Sequence, residues 1–260
     1  MAADQSFLER EGEQFRPTDR ARGPWGEETM HGRIIAGLFA RCFEKQYGDD
    51  AFQFARLTVD LFRMPTMNPV QITTERVRGG RRIQVTHGVA TSEGREIARA
   101  AAVQLRRSEV PPGSVWQPGS WDVPPPSALE ANAATGSWTP IWETRSIGGG
   151  EFIGPGPKQM WIRETYALVA GEALTPFVRV AVCTDIASPL SMSGDAGLQY
   201  VNADIGLYLH RLPVSERIGW EVWDHGSAAG VGQGECRIYD EEGPIGRSTV
   251  CAVANPRSST

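Results

Sequence analysis

Few residues of this chain combine a reactive side chain with a position that suits chemistry. Asp185 opens a short helical segment, where unpaired backbone N–H groups stabilise a carboxylate. An Asp before an apolar run is also a common N-cap, so both roles stay open. His31 and Gly32 open an earlier helical segment, where the imidazole can cap the helix or bind a ligand. Cys251 lies in an apolar strand with no His nearby in sequence, so we interpret it as a core residue rather than a nucleophile.

The composition is that of a globular protein without a nucleic-acid partner. Of 260 residues, 40% are hydrophobic and 22% charged, and the net charge is -5, whereas phosphate-backbone binding relies on clustered Lys and Arg. The cysteines stand far apart, which predicts free thiols in a reducing compartment and neither a metal nor another cofactor. The first thirty residues lack the apolar segment of a secretion signal, and the sequence has no run of about 18 apolar residues that could span a membrane. We therefore expect a cytoplasmic protein with no membrane partner.

Basic residues cluster at one place, around the turn residues Gly79 and Gly80. Such a cluster is either a solvated hairpin tip or a docking point for the phosphates of an anionic ligand such as coenzyme A. The residues are Arg76, Arg78, Arg81 and Arg82.

The sequence contains a degenerate internal repeat. An alternating strand pattern that ends in Arg-x-Pro occurs at 57–65 and again at 205–213, an offset of 213 − 65 = 148 residues. After each come a strand, a turn, a longer strand, an acidic turn with Gly and a last strand. The acidic turns at 92–94 and 241–243 are 243 − 94 = 149 residues apart. The predicted strands are Val70 to Val77, Ile83 to Thr91 and Ile97 to Leu105, then Ile218 to Trp223, Gly232 to Tyr239 and Ser248 to Ala254.

A helix precedes each block of strands. His31 to Lys45 carries a broad apolar stripe at helical spacing. The charged positions of this segment are Arg33, Arg41, Glu44 and Lys45. Asp185 to Leu190 predicts only a short or broken helix, because Pro189 lies inside it. A helix followed by an antiparallel sheet that can wrap it, present twice, predicts an α+β fold, the double hot-dog.

The segment between the blocks has the composition of a linker, with repeated Pro and Gly. Its aromatic side chains are unfavourable in water, so we expect it to cover the body rather than to form a lid over a ligand. The aromatic residues are Trp116, Trp121, Trp138 and Trp142. We divide the chain into an N-terminal hot-dog at 1–109, the linker at 110–157 and a C-terminal hot-dog at 158–260.

Several motifs, in order and spacing, resemble the double hot-dog acyl-CoA thioesterases of the type II bacterial family, including their actinobacterial-type members. The segments that carry this resemblance are FRPT at 15–18, ARGPW at 21–25, HG at 31–32, QMWIR at 159–163, CTD at 183–185 and HR at 210–211. Segment 183–185 is similar to the one that bears the family's catalytic aspartate. The resemblance covers most of the chain outside the linker.

The resemblance implies a hydrolase in which an Asp and a Thr or Asn act on water while a Gln assists. The Asp falls on Asp185 and its partner on Asn202, which otherwise joins loop to strand by a hydrogen bond. Asp204 shares a strand face with Asn202 and competes for its role. Residues 248–251 replace the family Gln, so Thr249 or an element elsewhere compensates, or activity is low or different.

The duplication makes His31 and Gly32 the counterpart of Asp185, and pseudo-twofold packing of the halves would bring them together. Gly32 would then present a backbone N–H to the thioester carbonyl as an oxyanion donor. His31 would bind substrate or cap its helix. We assign His210 to supporting the end of its strand rather than to the chemistry.

The expected partner is a fatty-acyl or related acyl-CoA substrate, and exposed sheet edges together with the family habit predict a homodimer. Two other functions stay open. A shell that binds an acyl or CoA ligand without catalysis would account for the missing Gln. A hydratase or dehydratase would need Asp185 beside His31.

Overall fold

The computed structural model describes residues 5–117, 121–132, 142–149 and 151–255. The first half consists of a hairpin, a long helix and four long strands. Their bounds are β1 (Ser6–Glu11), β2 (Gln14–Pro17), α1 (Gly32–Tyr47), β3 (Phe52–Leu61), β4 (Val70–Gly79), β5 (Ile83–Ser92) and β6 (Arg95–Arg106).

The second half repeats this plan with a broken helix. Its elements are β7 (Trp142–Ser146), β8 (Gln159–Glu164), β9 (Ala167–Val169), α2 (Pro176–Cys183), α3 (Ala187–Met192), β10 (Ser193–Gly194), β11 (Gly197–Leu198), β12 (Tyr200–Asn202), β13 (Asp204–Leu209), β14 (Arg217–Ala228), β15 (Val231–Asp240) and β16 (Gly243–Ala254). Three-residue 3-10 turns occur at Asp19–Ala21, Pro126–Ala128 and Thr184–Ile186.

Fourteen strands of the described residues form one sheet, whose two ends mirror each other. The order is β7-β8-β14-β15-β16-β13-β3-β6-β5-β4-β2-β1-β9, and β12 pairs with β16. When β9 at one end is left out, β7 matches β1, β8 matches β2, and the correspondence continues inward to β13 and β3 at the centre. These central strands pair antiparallel, with Gly206 opposite Thr58. The duplication and the double hot-dog are therefore confirmed.

The helices lie against the core side of this sheet and against each other. Ile34, Leu38 and Phe39 of α1 are fully buried. α1 packs on α2 at Gly37, where an added Cβ would lie 2.5 Å from Cγ2 of Val182. A glycine is needed at this crossing because any side chain would overlap the facing helix. Across the described residues, no helix combines the length and apolarity needed to cross a bilayer.

The helix of the second half begins earlier than the sequence predicts. Pro176 is the first residue of α2, and the Thr175 side chain accepts a hydrogen bond of 3.2 Å from the Val178 N–H. Asp185 lies instead in the 3-10 turn between α2 and α3. The interpretation of Asp185 as the N-cap of its own helix is therefore wrong, although the predicted break in the helix is present.

Two of the charged positions of α1 face the interior. Arg33 is 1% exposed and forms an ion pair with Glu164 of β8, while Arg41 pairs with Glu172. Both pairs join the first half to the second. The two arginines thus hold the halves together instead of forming a solvated face.

Part of the predicted linker belongs to the sheet. Trp142 begins β7, which pairs with β8 and is the counterpart of β1, so the boundary at 158 cuts a strand from its half. Trp121 stacks on Tyr239 with ring centroids 4.1 Å apart, as expected of a covering segment. Trp116 is 83% exposed and does not follow that expectation. Trp138 lies outside the described residues.

Candidate active site

Asp185 lies where the two halves meet. Its Oδ2 is 3.3 Å from the position that a Cβ on Gly32 would take, at the first turn of α1. The backbone N–H of Arg33 donates to the same carboxylate. N–H groups of a first turn have no acceptor within their own helix and form the positive end of its dipole. The first half therefore stabilises a charge that the second half supplies, and the structure brings Asp185 and Gly32 together.

Asn202 ends β12 and holds the other side of the carboxylate. Its Nδ2 donates to Oδ1 of Asp185 at 2.9 Å and to the backbone oxygen of Asp204 at 3.2 Å. An amide nitrogen has two hydrogens, so these bonds use both. Asn202 therefore has no N–H left to donate to a substrate carbonyl, and only its side-chain oxygen remains for water.

The surroundings shift the protonation of both titratable groups at this junction. Burial raises the pKa of Asp185, and the opposing effects of the Asn202 hydrogen bond and the nearby Arg33 charge and N–H do not cancel it. Burial and the Arg33 charge lower the pKa of His31 to about 3. The imidazole of His31 is therefore neutral at neutral pH, and the carboxylate form of Asp185 is a stronger base than it would be in water.

His31 precedes α1 at the N-cap position, but its side chain makes no capping hydrogen bond. The expectation that the imidazole caps the helix is therefore wrong. The half-buried ring lies near the Trp142 ring, with centroids 6.4 Å apart.

Arg33 is the residue of this site that the sequence did not indicate. Its guanidinium lies over the rings of Phe7 and Trp142, 4.5 and 4.3 Å from their centroids, and pairs with Glu164. Nε and Nη2 find no hydrogen-bond acceptor in the described part of the chain. A buried cation held by aromatic faces and one carboxylate places a fixed positive charge beside Asp185. The only available signal was its position inside the apolar stripe of α1.

Thr249 is not brought to Asp185. Its Oγ1 would lie 2.5 Å from a Cβ on Gly206, so the side chain packs on the outer face of the β13–β16 pair. Because side chains alternate along a strand, the neighbouring Ser248 points inward. There it hydrogen-bonds to the hydroxyl and carbonyl oxygens of Thr184 at 2.8 and 2.9 Å. The expected role of Thr249 fails on geometry, and Ser248 is the residue of β16 that supports the turn of Asp185.

The sequence matches two domains of known activity. The acyl-CoA thioesterase N-terminal domain matches residues 21–105, and the acyl-CoA thioesterase C-terminal domain matches residues 117–251, more than half of the chain. The chain belongs to the acyl-CoA thioesterase family. It is a thioester hydrolase, as its resemblance to that family predicted. A search of curated protein sequences found no match.

Solved structures share the fold of this thioesterase at low sequence identity. A tesB protein of Mycobacterium avium is 16% identical, with 96% of each chain covered and a TM-score of 0.68. An acyl-CoA thioesterase II of Mycobacterium marinum is 15% identical, with 97% of each covered and a TM-score of 0.63. A hot-dog protein of Alicyclobacillus acidocaldarius is 17% identical, with 100% of this chain and 99% of the other covered and a TM-score of 0.74. They support the double hot-dog fold alone.

The remaining polar groups near the site of the thioesterase have structural partners. Oδ1 of Asp204 accepts the Cys251 N–H at 2.6 Å, which ties β13 to β16 and removes Asp204 as a rival of Asn202. Cys251 is exposed, so its interpretation as a core residue is wrong. Partial desolvation and the Asp204 carboxylate nevertheless raise the pKa of its thiol to about 11, so the thiol is not a nucleophile at neutral pH. The described residues contain no group of three or more His, Cys, Asp or Glu that could hold a metal ion.

Proposed function

We propose that this thioesterase hydrolyses a fatty-acyl or related acyl-CoA with a water molecule that Asp185 deprotonates. The observation that carries the proposal is the clamped carboxylate: Asn202 holds Oδ1 at 2.9 Å, while Oδ2 faces the first turn of α1 at Gly32. One oxygen has a fixed partner and the other is directed at a helix start. A base with one fixed oxygen is held in a single orientation toward its water.

The reaction balances with these groups alone. The water attacks the carbonyl carbon of the thioester while Asp185 accepts its proton. Negative charge then develops on the carbonyl oxygen, and the Gly32 N–H, which has no acceptor within α1, donates to it. Collapse of the tetrahedral intermediate breaks the C–S bond, and the proton on Asp185 passes to the departing CoA thiolate. A carboxylic acid and a free thiol leave, and the carboxylate is regenerated.

Burial supports this role because it raises the pKa of Asp185. A carboxylate with a raised pKa takes a proton from water more readily than an exposed one does. The same shift sets the sign of the pH dependence. Activity falls as the pH decreases through the raised pKa of Asp185, since the protonated acid cannot act as a base.

Asp185→Asn tests the proposal. The amide keeps the size of the side chain and its capacity to accept from Asn202, but it cannot take a proton. We expect release of free thiol from a medium-chain acyl-CoA to fall by about 10²- to 10⁴-fold, the usual contribution of a general base. Asp195→Asn is the matched control, because Asp195 is exposed and, among the described residues, its carboxylate accepts only the neighbouring Ala196 N–H. Near-normal turnover in Asp185→Asn would show that Asp185 is not the general base.

The same preparations separate the two other functions. Ligand-dependent stabilisation without thiol release above background would favour a shell that binds an acyl ligand. Hydration of an enoyl-CoA would favour a hydratase that uses Asp185 with His31.

The homodimer also stays a proposal. Within the part of the chain that the structure describes, the strands at the two ends of the sheet, β7 and β9, each have one unpaired edge that a second copy could extend. Size-exclusion chromatography with light scattering measures the molar mass of the protein in solution. A mass equal to that of one chain would contradict the homodimer.

A further inference from the structure

The tip of the β4–β5 hairpin and the end of β6 form one surface rich in arginine. Arg106 N–H donates to the carbonyl of Arg82 at 3.0 Å, so the two segments are adjacent. The members of this surface, which we call the arginine tip, are Arg76, Arg78, Arg81, Arg82, Arg106 and Arg107. All are exposed, and none forms an ion pair with a carboxylate of the described residues.

Aliphatic side chains lie exposed among these arginines. Val77 is 47% exposed, Ile83 38% and Leu105 43%. Ile83 and Leu105 are direct cross-strand partners, so their side chains form a pair on one face of the sheet. The arginine tip therefore combines positive charge with apolar surface.

The other half of the molecule shows that the fold does not require these charges. At an offset of 149 residues, Arg78, Arg81 and Arg82 correspond to Ser227, Gly230 and Val231 at the tip of the β14–β15 hairpin. Residues 226–234 contain neither Lys nor Arg. The equivalent hairpin thus forms with a neutral tip, so the cations of the first tip are available for another purpose.

The arginine tip is remote from the reacting groups. Arg76 lies over the ring of Tyr47, the last residue of α1, with 4.9 Å to its centroid, whereas Asp185 lies at the first turn of that helix. A helix of 16 residues is about 24 Å long at 1.5 Å per residue. Changing the charge of the tip therefore leaves the chemistry at Asp185 intact.

We propose that the arginine tip docks this protein on a lipid bilayer with anionic headgroups. Arginines spread over a hairpin tip fit many phosphates on a surface, and the aliphatic side chains between them fit the apolar layer beneath. The net charge of -5 makes other faces unfavourable for such a surface, so the contact has one orientation. The expectation of no membrane partner rested on the lack of a long apolar run, which concerns spanning segments only.

Sedimentation with vesicles tests the proposal on the full chain. One set of vesicles contains phosphatidylcholine alone, and the other contains phosphatidylcholine mixed with phosphatidylglycerol. The variant carries Arg78→Gln, Arg81→Gln and Arg82→Gln. The matched control carries Ser227→Glu, Ala228→Glu and Val231→Glu, which lower the net charge by the same three units at the neutral tip.

We expect wild type and control to bind only the anionic vesicles and to lose binding as NaCl is raised. The glutamine variant should bind about 100-fold more weakly, because each basic residue near an anionic leaflet contributes roughly a factor of five. Its turnover of a soluble acyl-CoA should equal that of wild type, which separates this proposal from the one for Asp185.

Four results would overturn the docking proposal. Wild type could ignore anionic vesicles, or the glutamine variant could bind them as wild type does. Inorganic pyrophosphate could displace wild type where NaCl of equal ionic strength does not, which would make the tip a site for a soluble phosphate. Capture by an acidic carrier protein without vesicle binding would indicate a protein partner instead.

Discussion

Glu164→Gln will destabilise the protein by about 3–5 kcal/mol, because it leaves a buried guanidinium without its counter-charge. The backbone contacts survive: Oε1 of Glu164 accepts from the N–H groups of Thr165 and Tyr166 at 2.9 and 3.0 Å, and an amide oxygen can replace it. The loss is the ion pair with Arg33, whose side chain is 1% exposed against 0% for Glu164. For a chain of this size, Tm should fall by roughly 6–20 °C.

Removing both charges should restore part of this stability. In the double variant Arg33→Met, Glu164→Gln, an apolar side chain lies between Phe7 and Trp142 and no unpaired charge is buried. Urea unfolding of wild type, both single variants and the double variant gives the coupling free energy directly. A Glu164→Gln loss below about 1 kcal/mol, the range of an exposed pair, would refute the reasoning.

Arg33→Met will also change the pH dependence of hydrolysis. The positive charge of Arg33 lowers the pKa of Asp185, so its removal raises that pKa and moves the acid limb of the pH–rate profile to higher pH. Arg41→Met is the matched control: Arg41 lies two turns further along α1 and pairs with Glu172. Arg41→Met should lower the stability of the protein without shifting the acid limb of the pH–rate profile. Equal profiles for the two variants would show that Arg33 is structural only.

Substitutions at two glycines should have opposite effects: Gly32→Ala should reduce activity without lowering stability, whereas Gly37→Ala should reduce stability. Gly32→Ala places a Cβ 3.3 Å from Oδ2 of Asp185, so thiol release should fall by about 10²-fold or more, the effect of disturbing an oxyanion donor. Its Tm should not fall, because Ala favours a helix over Gly; normal turnover would contradict the role of this helix start. Gly37→Ala brings a Cβ to 2.5 Å from Cγ2 of Val182, and chemical unfolding should show a loss of about 1–3 kcal/mol. A stabilised Gly37→Ala would mean that the two helices separate at little cost.

The strands of the fold were predictable because they repeat. The 148- to 149-residue offset placed the four long strands of each half, and the pairing of β3 with β13 confirms the relation. α2 was not predictable in this way. Val178, Val180 and Val182 recur at every second residue, the period of a strand, yet they form a helix that begins at Pro176. Packing against α1 overrides that local pattern.

Family resemblance and the internal symmetry of the chain predicted only part of the site. They indicated Asp185, Asn202 and Gly32, which the structure brings together. They did not indicate Arg33, because a charged residue on a helix is ordinarily solvated and only a tertiary partner such as Glu164 makes its burial tolerable. Thr249 failed because a one-residue step along a strand reverses the face.

The pairing of β3 with β13 also governs how the chain can be made. Residues 52–61 leave the ribosome long before residues 204–209 are synthesised. Until then, β3 lies at an unpaired edge of the sheet that the first half forms. Closing that edge joins segments about 150 residues apart, which is slow because the loop entropy is lost first. However, β3 and β13 belong to the same chain, so the rate at which they pair does not depend on protein concentration. Duplication has converted an assembly step into a folding step.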